Sequence, residues 1–314
     1  MDDLREIITA DPEVDRVIKT AKNVAASRAT VLIIGESGCG KELLARYIHQ
    51  QSNRSKKNFV AVNCAAVPEG LLESELFGYE KGAFTGASNR KIGKFELAND
   101  GSFLLDEISE MPIALQAKIL RVLQESEIER LGGNGPVKVD VRLIATTNKE
   151  LSGLVDKNEF RSDLYYRLNV VPLRLPPLRS RPADVEILAK KFVQFSCAKN
   201  NRNLKVVTDG ALEKLKSHQW PGNIRELQNV IERSILLCEG DRLTADKILI
   251  SEFQFSHKDF SLRPGMSIQE AEDLLIKKTL EFTKQNRSQA ARLLGISVRT
   301  LRNKLNDPLE EERK

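Results

Sequence analysis

Four aliphatic residues, Val31–Ile34, run directly into GESGCGKE, Gly35–Glu42, and then into a helical pattern that continues through Ser52. A buried strand, a glycine loop and a helix in that order leave a chain little freedom of fold. The loop fits G-x-x-x-x-G-K, in which glycines let backbone N–H groups converge on phosphate oxygens and the following helix N-terminus adds partial positive charge. Gly35, Glu36, Ser37, Gly38, Cys39, Gly40, Lys41 and Glu42 are therefore the expected nucleotide-binding residues, with Lys41 reaching the β- and γ-phosphates. Glu42 stands where the pattern has Ser or Thr. Magnesium thereby loses a hydroxyl ligand and depends on phosphates, water and a carboxylate from elsewhere.

GSFLLDE supplies that carboxylate: an apolar strand ends in Asp106 and Glu107. Ligands of parallel sheets bind at such C-terminal strand tips. Asp106 is the expected Mg²⁺ residue, directly or through water, and Glu107 the general base for an attacking water. LIATTN ends another strand in Thr146, Thr147 and Asn148, a polar tip able to bond the γ-phosphate or the water. Capping of a following helix by Asn148 is equally consistent.

NFVAVNCAA and VDVRLIATTN read as further strands, with helical patterns between, such as 5–28 and Ile113–Gln124. Strands alternating with helices predict a parallel sheet covered on both faces. Pro172, Pro176, Pro177 and Pro182 then mark a stiff connector. Beyond it only helices are expected up to residue 250: Asp184–Lys199, Asp209–Ser217 and Ile224–Cys238. The stretch 251–266 has no period, and a last helical block begins at Ser267. The expected division is an α/β part at 1–172, a helical lid at 173–250, a linker at 251–266 and a small helical domain at 267–314. Apolar residues at 41% suffice for real cores, and no apolar run approaches the ~20 residues of a membrane helix. The acidic start, MDDLREIITADPEVD, does not read as a signal peptide. The four cysteines form no CxxC pair, which favours reduced thiols and a cytoplasmic location over disulfides or zinc.

In the last block, SIQEAEDLLIKKTLEFTKQN is helical, with Ile268, Ala271, Leu274, Leu275, Lys278 and Phe282 near one face. SQAARLLGISVRTLRNKL gives two short helices around Gly295-Ile296-Ser297, a helix-turn-helix pattern in which Ser297 caps the second helix. Ala290, Leu293, Leu294, Ile296, Val298 and Leu301 are its expected core. Arg292, Ser297, Arg299, Thr300, Arg302, Asn303 and Lys304 are its DNA-contact candidates. From Lys284 to Asn306 there are six basic residues and no acid, a charge suited to phosphate neutralisation. The long first helix offers a dimer face, which would imply a two-fold symmetric site on double-stranded DNA.

GESGCGKE, ELFGYEKGAFTGA, GSFLLDE, FRSDLYYRLNV and WPGNIRELQN occur in that order. Together they resemble the AAA+ domain of bacterial enhancer-binding proteins, the NtrC-like activators of sigma-54 RNA polymerase. The resemblance covers residues 5–250, and 267–305 resembles a Fis-like DNA-binding domain. It implies an α/β P-loop AAA+ ATPase with an all-α lid and a C-terminal helix-turn-helix domain. It also implies a homo-oligomeric ring, usually a hexamer, with ATP between subunits. Arg161 and Arg167 match arginine fingers acting on a neighbour's nucleotide; on the residues alone, surface pairing with Asp163 or Glu159 is the alternative. Arg225 matches the sensor residue of the lid, with pairing to Glu226 or Glu232 as its alternative. Trp220 and Pro221 read as structural. Asn63 matches a residue that restrains the catalytic glutamate until the target is contacted. Cys39 replaces a usual Thr, and its place at a helix N-terminus suggests a low-pKa thiol.

The resemblance assigns Gly82, Ala83, Phe84, Thr85, Gly86 and Ala87 to the sigma-54 contact. The loop is expected between helices at Leu71–Phe77 and Gly93–Ala98, with Gly82 and Gly86 as hinges. Copies of Phe84 gathered around a ring would form one apolar patch. The implied function is ATP-driven remodelling of the closed promoter complex of the sigma-54 holoenzyme from an enhancer. A regulator that keeps the ATPase fold without remodelling polymerase would lack an intact GAFTGA, and a general unfoldase would not carry the helix-turn-helix. Members of the family usually carry a sensory domain ahead of the ATPase. Its place is expected to be taken by a separate regulator in trans or by a domain of a longer form of the chain.

Overall fold

The computed structural model describes residues 7–250, 267–283 and 286–305. The expected linker, the acidic tail and Lys284 lie outside them, as does the side chain of Phe282. Two compact units result, 1–250 and 251–314. The first runs α1 (Pro12–Ala25), β1 (Val31–Ile34), α2 (Lys41–Gln50), β2 (Phe59–Asn63), α3 (Glu69–Phe77), β3 (Gly78–Tyr79), β4 (Lys91–Ile92), α4 (Lys94–Leu97) and β5 (Ser102–Asp106). It continues with α5 (Ile113–Glu125), β6 (Glu127–Glu129), β7 (Pro136–Lys138), β8 (Arg142–Thr147), α6 (Leu151–Asp156), α7 (Ser162–Leu168) and β9 (Val171–Arg174). Then follow α8 (Pro182–Lys199), β10 (Val206–Val207), α9 (Asp209–Ser217), α10 (Asn223–Leu237) and β11 (Arg242–Leu243). The second unit holds α11 (Ile268–Phe282), α12 (Arg287–Leu293) and α13 (Val298–Leu305).

The main sheet has the order β2-β5-β8-β1-β9 and is parallel throughout. Its strands alternate side chains between two cores. Phe103 and Leu105 of β5 enter one cluster with Phe77, Phe95 and Leu164; Leu104 enters the other with Ala21, Leu44 and Ile48. Burial of each such large side chain stabilises by about 1.5–3 kcal/mol, which is why the central strands are continuously apolar. The register Asn63↔Asp106 and Ile33↔Thr146 brings the polar strand tips to one edge, beside the loop that leaves β1.

Three expectations are corrected. Among the described residues the first helix begins at Pro12, with 7–11 outside it, because Asp11 caps it through Glu13 N and Val14 N and a proline disfavours helix in the residue before it. The proline-rich connector begins with a fifth strand, β9; Pro172 is tolerated there because β9 pairs only with β1 at the sheet edge. The lid is not wholly helical, since β10 and β11 pair in parallel beside α8–α10. Trp220 is fully buried at the lid's centre and donates Nε1–H to Leu215 O at 2.8 Å.

Between α3 and α4 the chain forms a two-residue antiparallel stalk, β3 with β4, carrying residues 80–90 at its tip. In the second unit Ile276, Leu280, Ala290, Ala291 and Leu301 form the core. Leu293, expected inside, is 62% exposed, and Ile268 is 88% exposed. The three short helices bury only the stripe of α11 that faces α12 and α13, and Leu275 lies outside it.

Candidate nucleotide site

Gly40 stands at φ +104° before α2, so the P-loop turns sharply into the helix. Lys41 is buried, and its Nζ donates to Gly35 O at 2.8 Å and Glu36 O at 3.3 Å. The same ammonium lies 3.3 Å from Glu107 Oε1. Glu107 itself occupies left-handed backbone (φ +54°), which turns its carboxylate from the end of β5 toward Lys41 and the Asn148 N–H at 3.2 Å. Asp106 accepts from Thr146 Oγ1 at 2.5 Å and from Asn63 Nδ2 at 2.7 Å. Lys41, Asp106, Glu107, Thr146 and Asn63 thus form one cluster at the sheet edge.

The lid closes on the loop from the other side. Three successive P-loop carbonyls accept from it: Ser37 O from Asn223 Nδ2 at 3.0 Å, Gly38 O from Ile224 N at 3.0 Å, and Cys39 O from Arg181 Nη2 at 3.1 Å. Arg225 Nη1 reaches Ser37 Oγ at 3.4 Å. Glu36 is paired with Arg179 at 2.6 Å, and the hydrogen bonds from Arg179 hold its carboxyl below the usual glutamate range. Asn223 also accepts from Leu178 N at 2.8 Å, which locks the start of α10 to the chain ahead of α8. A cavity of about 230 Å³ opens beside Cys39 and Gly40, walled by Ile7, Ile8, Leu43, Leu188, Phe192, Ile224 and Arg181.

Several expectations change here. Asn63, assigned by resemblance to restrain Glu107, bonds Asp106 instead, because the β2–β5 register sets them side by side. Asn148 caps no helix; Glu150 occupies the N-cap position of α6. The Glu42 carboxylate is held by Arg46 one turn on, at 2.7 Å, so its backbone N–H is what remains for a phosphate. Cys39 is not an acidic thiol: burial pushes its pKa up, against the pull of Lys41 and Arg181. Arg161 pairs with Asp163 at 2.8 Å, and Arg167 donates to Leu123 O at 2.9 Å, so neither joins the cluster within this chain. Arg179, Arg181, Asn223 and the Ile7–Ile8 wall were missed. PLRSRPADV, read as a connector, held the signal for two of them: closely spaced arginines at a helix start.

At the loop tip, Phe84 is 44% exposed and leans edge-on against Tyr79, centroids 4.9 Å apart. Gly82 and Gly86 take φ of +83° and +104°. Arg130, from the turn between β6 and β7, bonds Glu80 at 2.8 Å and Glu96 at 2.5 Å, bracing the loop's base. In the second unit Arg292, Arg299, Arg302 and Asn303 are exposed. Ser297 Oγ accepts from Thr300 N at 3.0 Å and lies 2.7 Å from Thr300 Oγ1, so both hydroxyls serve the cap. Lys304 pairs with Glu272 at 2.7 Å.

Family models match along the chain: the sigma-54 interaction domain over 7–174, the AAA+ ATPase lid domain over 179–259, and the bacterial regulatory protein Fis family over 267–307. The transcriptional regulatory protein FlbD of Caulobacter vibrioides is 50% identical, over 98% of this chain and 71% of that protein. The regulatory protein AtoC of Escherichia coli is 47% identical, over 96% of this chain and 67% of that protein. Among solved structures, NtrX from Brucella abortus superposes with a TM-score of 0.74 at 35% identity, covering 98% of this chain and 70% of that one. NtrX has also been solved in complex with ADP and with ATP.

Proposed function

The chain belongs to the family of sigma-54-dependent transcriptional regulators, with a P-loop AAA+ domain, its lid and a Fis-type helix-turn-helix, and from that premise we propose that it is an ATP-driven activator of sigma-54 RNA polymerase. In this reading it binds enhancer DNA through residues 267–314, assembles a ring through 1–250, and couples ATP hydrolysis to remodelling of the closed promoter complex. The observation that carries it is the pairing, in one unit, of a complete phosphate-and-acid cluster with a loop that holds Phe84 exposed at its tip.

The residues fit a nucleotide. Gly38 lies where any Cβ would meet Gly222 O at 2.3 Å, so the loop can pack against the lid only with glycine. Lys41 would exchange the Gly35 and Glu36 carbonyls for phosphate oxygens, which a cation prefers. Loss of Lys41 as a partner would free the Glu107 carboxylate to take a proton from water. Magnesium, when bound, would neutralise phosphate charge. Among the described residues no group of three acidic, His or Cys side chains could cage a metal. Asp106 would hold it, directly or through water, together with the phosphates, an arrangement usual for this ion. Arg225 would carry nucleotide state to the lid. Arg161 and Arg167 would act on a neighbouring subunit; their present bonds are on the exposed surface, where pairs stabilise little and are readily exchanged. Gly82–Ala87 would contact sigma-54. Arg292, Arg299, Arg302, Asn303 and Lys304 would face the DNA, while Ser297 and Thr300 would offer it little beyond the helix cap.

Among the described residues no helix is long and apolar enough to cross a membrane, and a cytoplasmic location is part of the proposal. The test is light scattering of the protein with purified sigma-54, with and without an ATP transition-state mimic. A ring and a sigma-54 complex that both require the mimic are expected. A complex indifferent to nucleotide would break the link between hydrolysis and remodelling.

A further inference from the structure

Arg181, the residue before Pro182 at the start of α8, is 3% exposed. Its guanidinium is committed at two of three nitrogens: Nη1 lies 3.4 Å from Asp184 Oδ2, and Nη2 donates to Cys39 O at 3.1 Å. The third, Nε, is buried and has no partner. Arg181 also lines the cavity of about 230 Å³ beside Cys39 and Gly40. Buried donors are nearly always satisfied, and an unpaired one beside a cavity points to an acceptor that arrives from outside.

The walls narrow the identity of that acceptor. Ile7, Ile8, Leu43, Leu188 and Ile224 offer broad aliphatic surface suited to a flat aromatic ring. The cavity adjoins the phosphate loop, where a nucleotide's base would lie. Adenine presents ring nitrogens that accept hydrogen bonds in the ring plane, and a planar guanidinium bonded at both Nη atoms holds its Nε–H in a fixed direction. Asp184 does the fixing. It is fully buried and accepts from Ala10 N at 2.6 Å, Asp11 N at 3.2 Å and Thr9 Oγ1 at 2.9 Å as well as from Arg181. One carboxylate therefore ties the segment bearing Ile7 and Ile8 to the lid arginine that touches the P-loop, and sets three walls of the cavity together.

We propose that Arg181 is the residue that reads the base, its Nε–H donating to a ring nitrogen of adenine, with Asp184 as its positioning residue. This rests on the nucleotide reading above. The test is titration calorimetry of the full chain with ATP and with 1-deaza-, 3-deaza- and 7-deaza-ATP, each lacking one ring acceptor. One analogue is expected to bind the wild type about tenfold more weakly than ATP, as for loss of a charged hydrogen bond. In Arg181→Lys, which keeps a cation for Asp184 but moves the donor, that ratio should fall to near one whatever the overall affinity. Asp184→Asn should lower the ratio in part. A merely structural arginine would weaken ATP and all analogues alike, leaving the ratio unchanged. Equal binding of ATP and all three analogues to the wild type, or an undiminished ratio in Arg181→Lys, overturns the role of Arg181 while nucleotide binding stands. Failure of ATP itself to bind overturns the nucleotide reading, and Arg181's role with it.

Discussion

Two glycine-rich loops, GESGCG at 35–40 and KGAFTGA at 81–87, look alike in composition and are opposites in the folded chain. The first is clamped: Ser37, Gly38 and Cys39 each give a carbonyl to the lid. The second bonds mainly to itself, as in Gly82 N to Ala87 O at 2.8 Å, and meets the rest of the unit through Glu80 at its base and where Ala83 packs against Gly132. The glycines serve different ends. At Gly38 there is no room for a side chain. At Gly82 and Gly86 an added Cβ would meet nothing within 4 Å, so only the positive φ calls for glycine. One loop is built to hold a shape around a ligand, the other to keep a shape on few outside contacts.

The sharpest break of this comparison lies in the chemistry beside the clamped loop. Glu107→Gln should hydrolyse ATP slower by a factor of about 100 or more, the usual worth of a positioned base, while binding it nearly as well. Steady-state turnover and calorimetric affinity measured together check this, and unchanged turnover would remove Glu107 from the base role. Next in size, Gly38→Ala should weaken ATP by about 100-fold, since a methyl forced against Gly222 O must push the lid away and overpacking of this kind costs up to about 3 kcal/mol. An affinity within threefold of wild type would show the lid contact to be dispensable.

The second loop should respond in the reverse sense. Phe84→Ala removes a ring whose only aromatic neighbour is Tyr79 among the described residues, so ATPase rate should stay within about twofold. Sigma-54 affinity should fall by about 30-fold, as for a central aromatic contact. Pull-down of sigma-54 with the transition-state mimic, run beside the ATPase assay, tests both halves; parallel loss of both would mean the loop supports the site after all. Smallest of all, Gly86→Ala should cost about 1 kcal/mol for a side chain at positive φ, lowering Tm by about 2–4 °C with ATP affinity unchanged. Thermal unfolding and titration of one sample suffice, and a drop as large as that of Gly38→Ala would erase the distinction between the loops.

Much of the site was legible because its chemistry is local. Gly35–Glu42, Asp106 and Glu107 sit in short strings whose order of strand, loop and helix is itself the signal. Arg181 and Asn223 were not legible as site residues, because each acts on a P-loop more than 100 positions away and nothing in its own neighbourhood marks the target. Cys39 misled for the same reason. A helix N-terminus and Lys41 argue for an acidic thiol, but burial under residues distant in sequence outweighs both, and the thiol's pKa rises. Leu293 was assigned to the core by its period, yet a three-helix unit has too few neighbours to cover every apolar position.

The sequence by itself determined the four central strands β1, β2, β5 and β8, most of the helices, the phosphate loop and the position of Phe84 at a loop tip, since these follow from the period of apolar residues and the conformational limits of glycine and proline. Tertiary structure alone decided which partner each polar group takes: Asn63 with Asp106, Lys41 with Glu107, Asp184 with the backbone ahead of α1, and Arg181 with one nitrogen left over. The reason is physical. Periodicity is written in neighbours three or four residues apart, whereas hydrogen bonds and ion pairs depend on distances of about 3 Å that only the packed sheet and lid bring about.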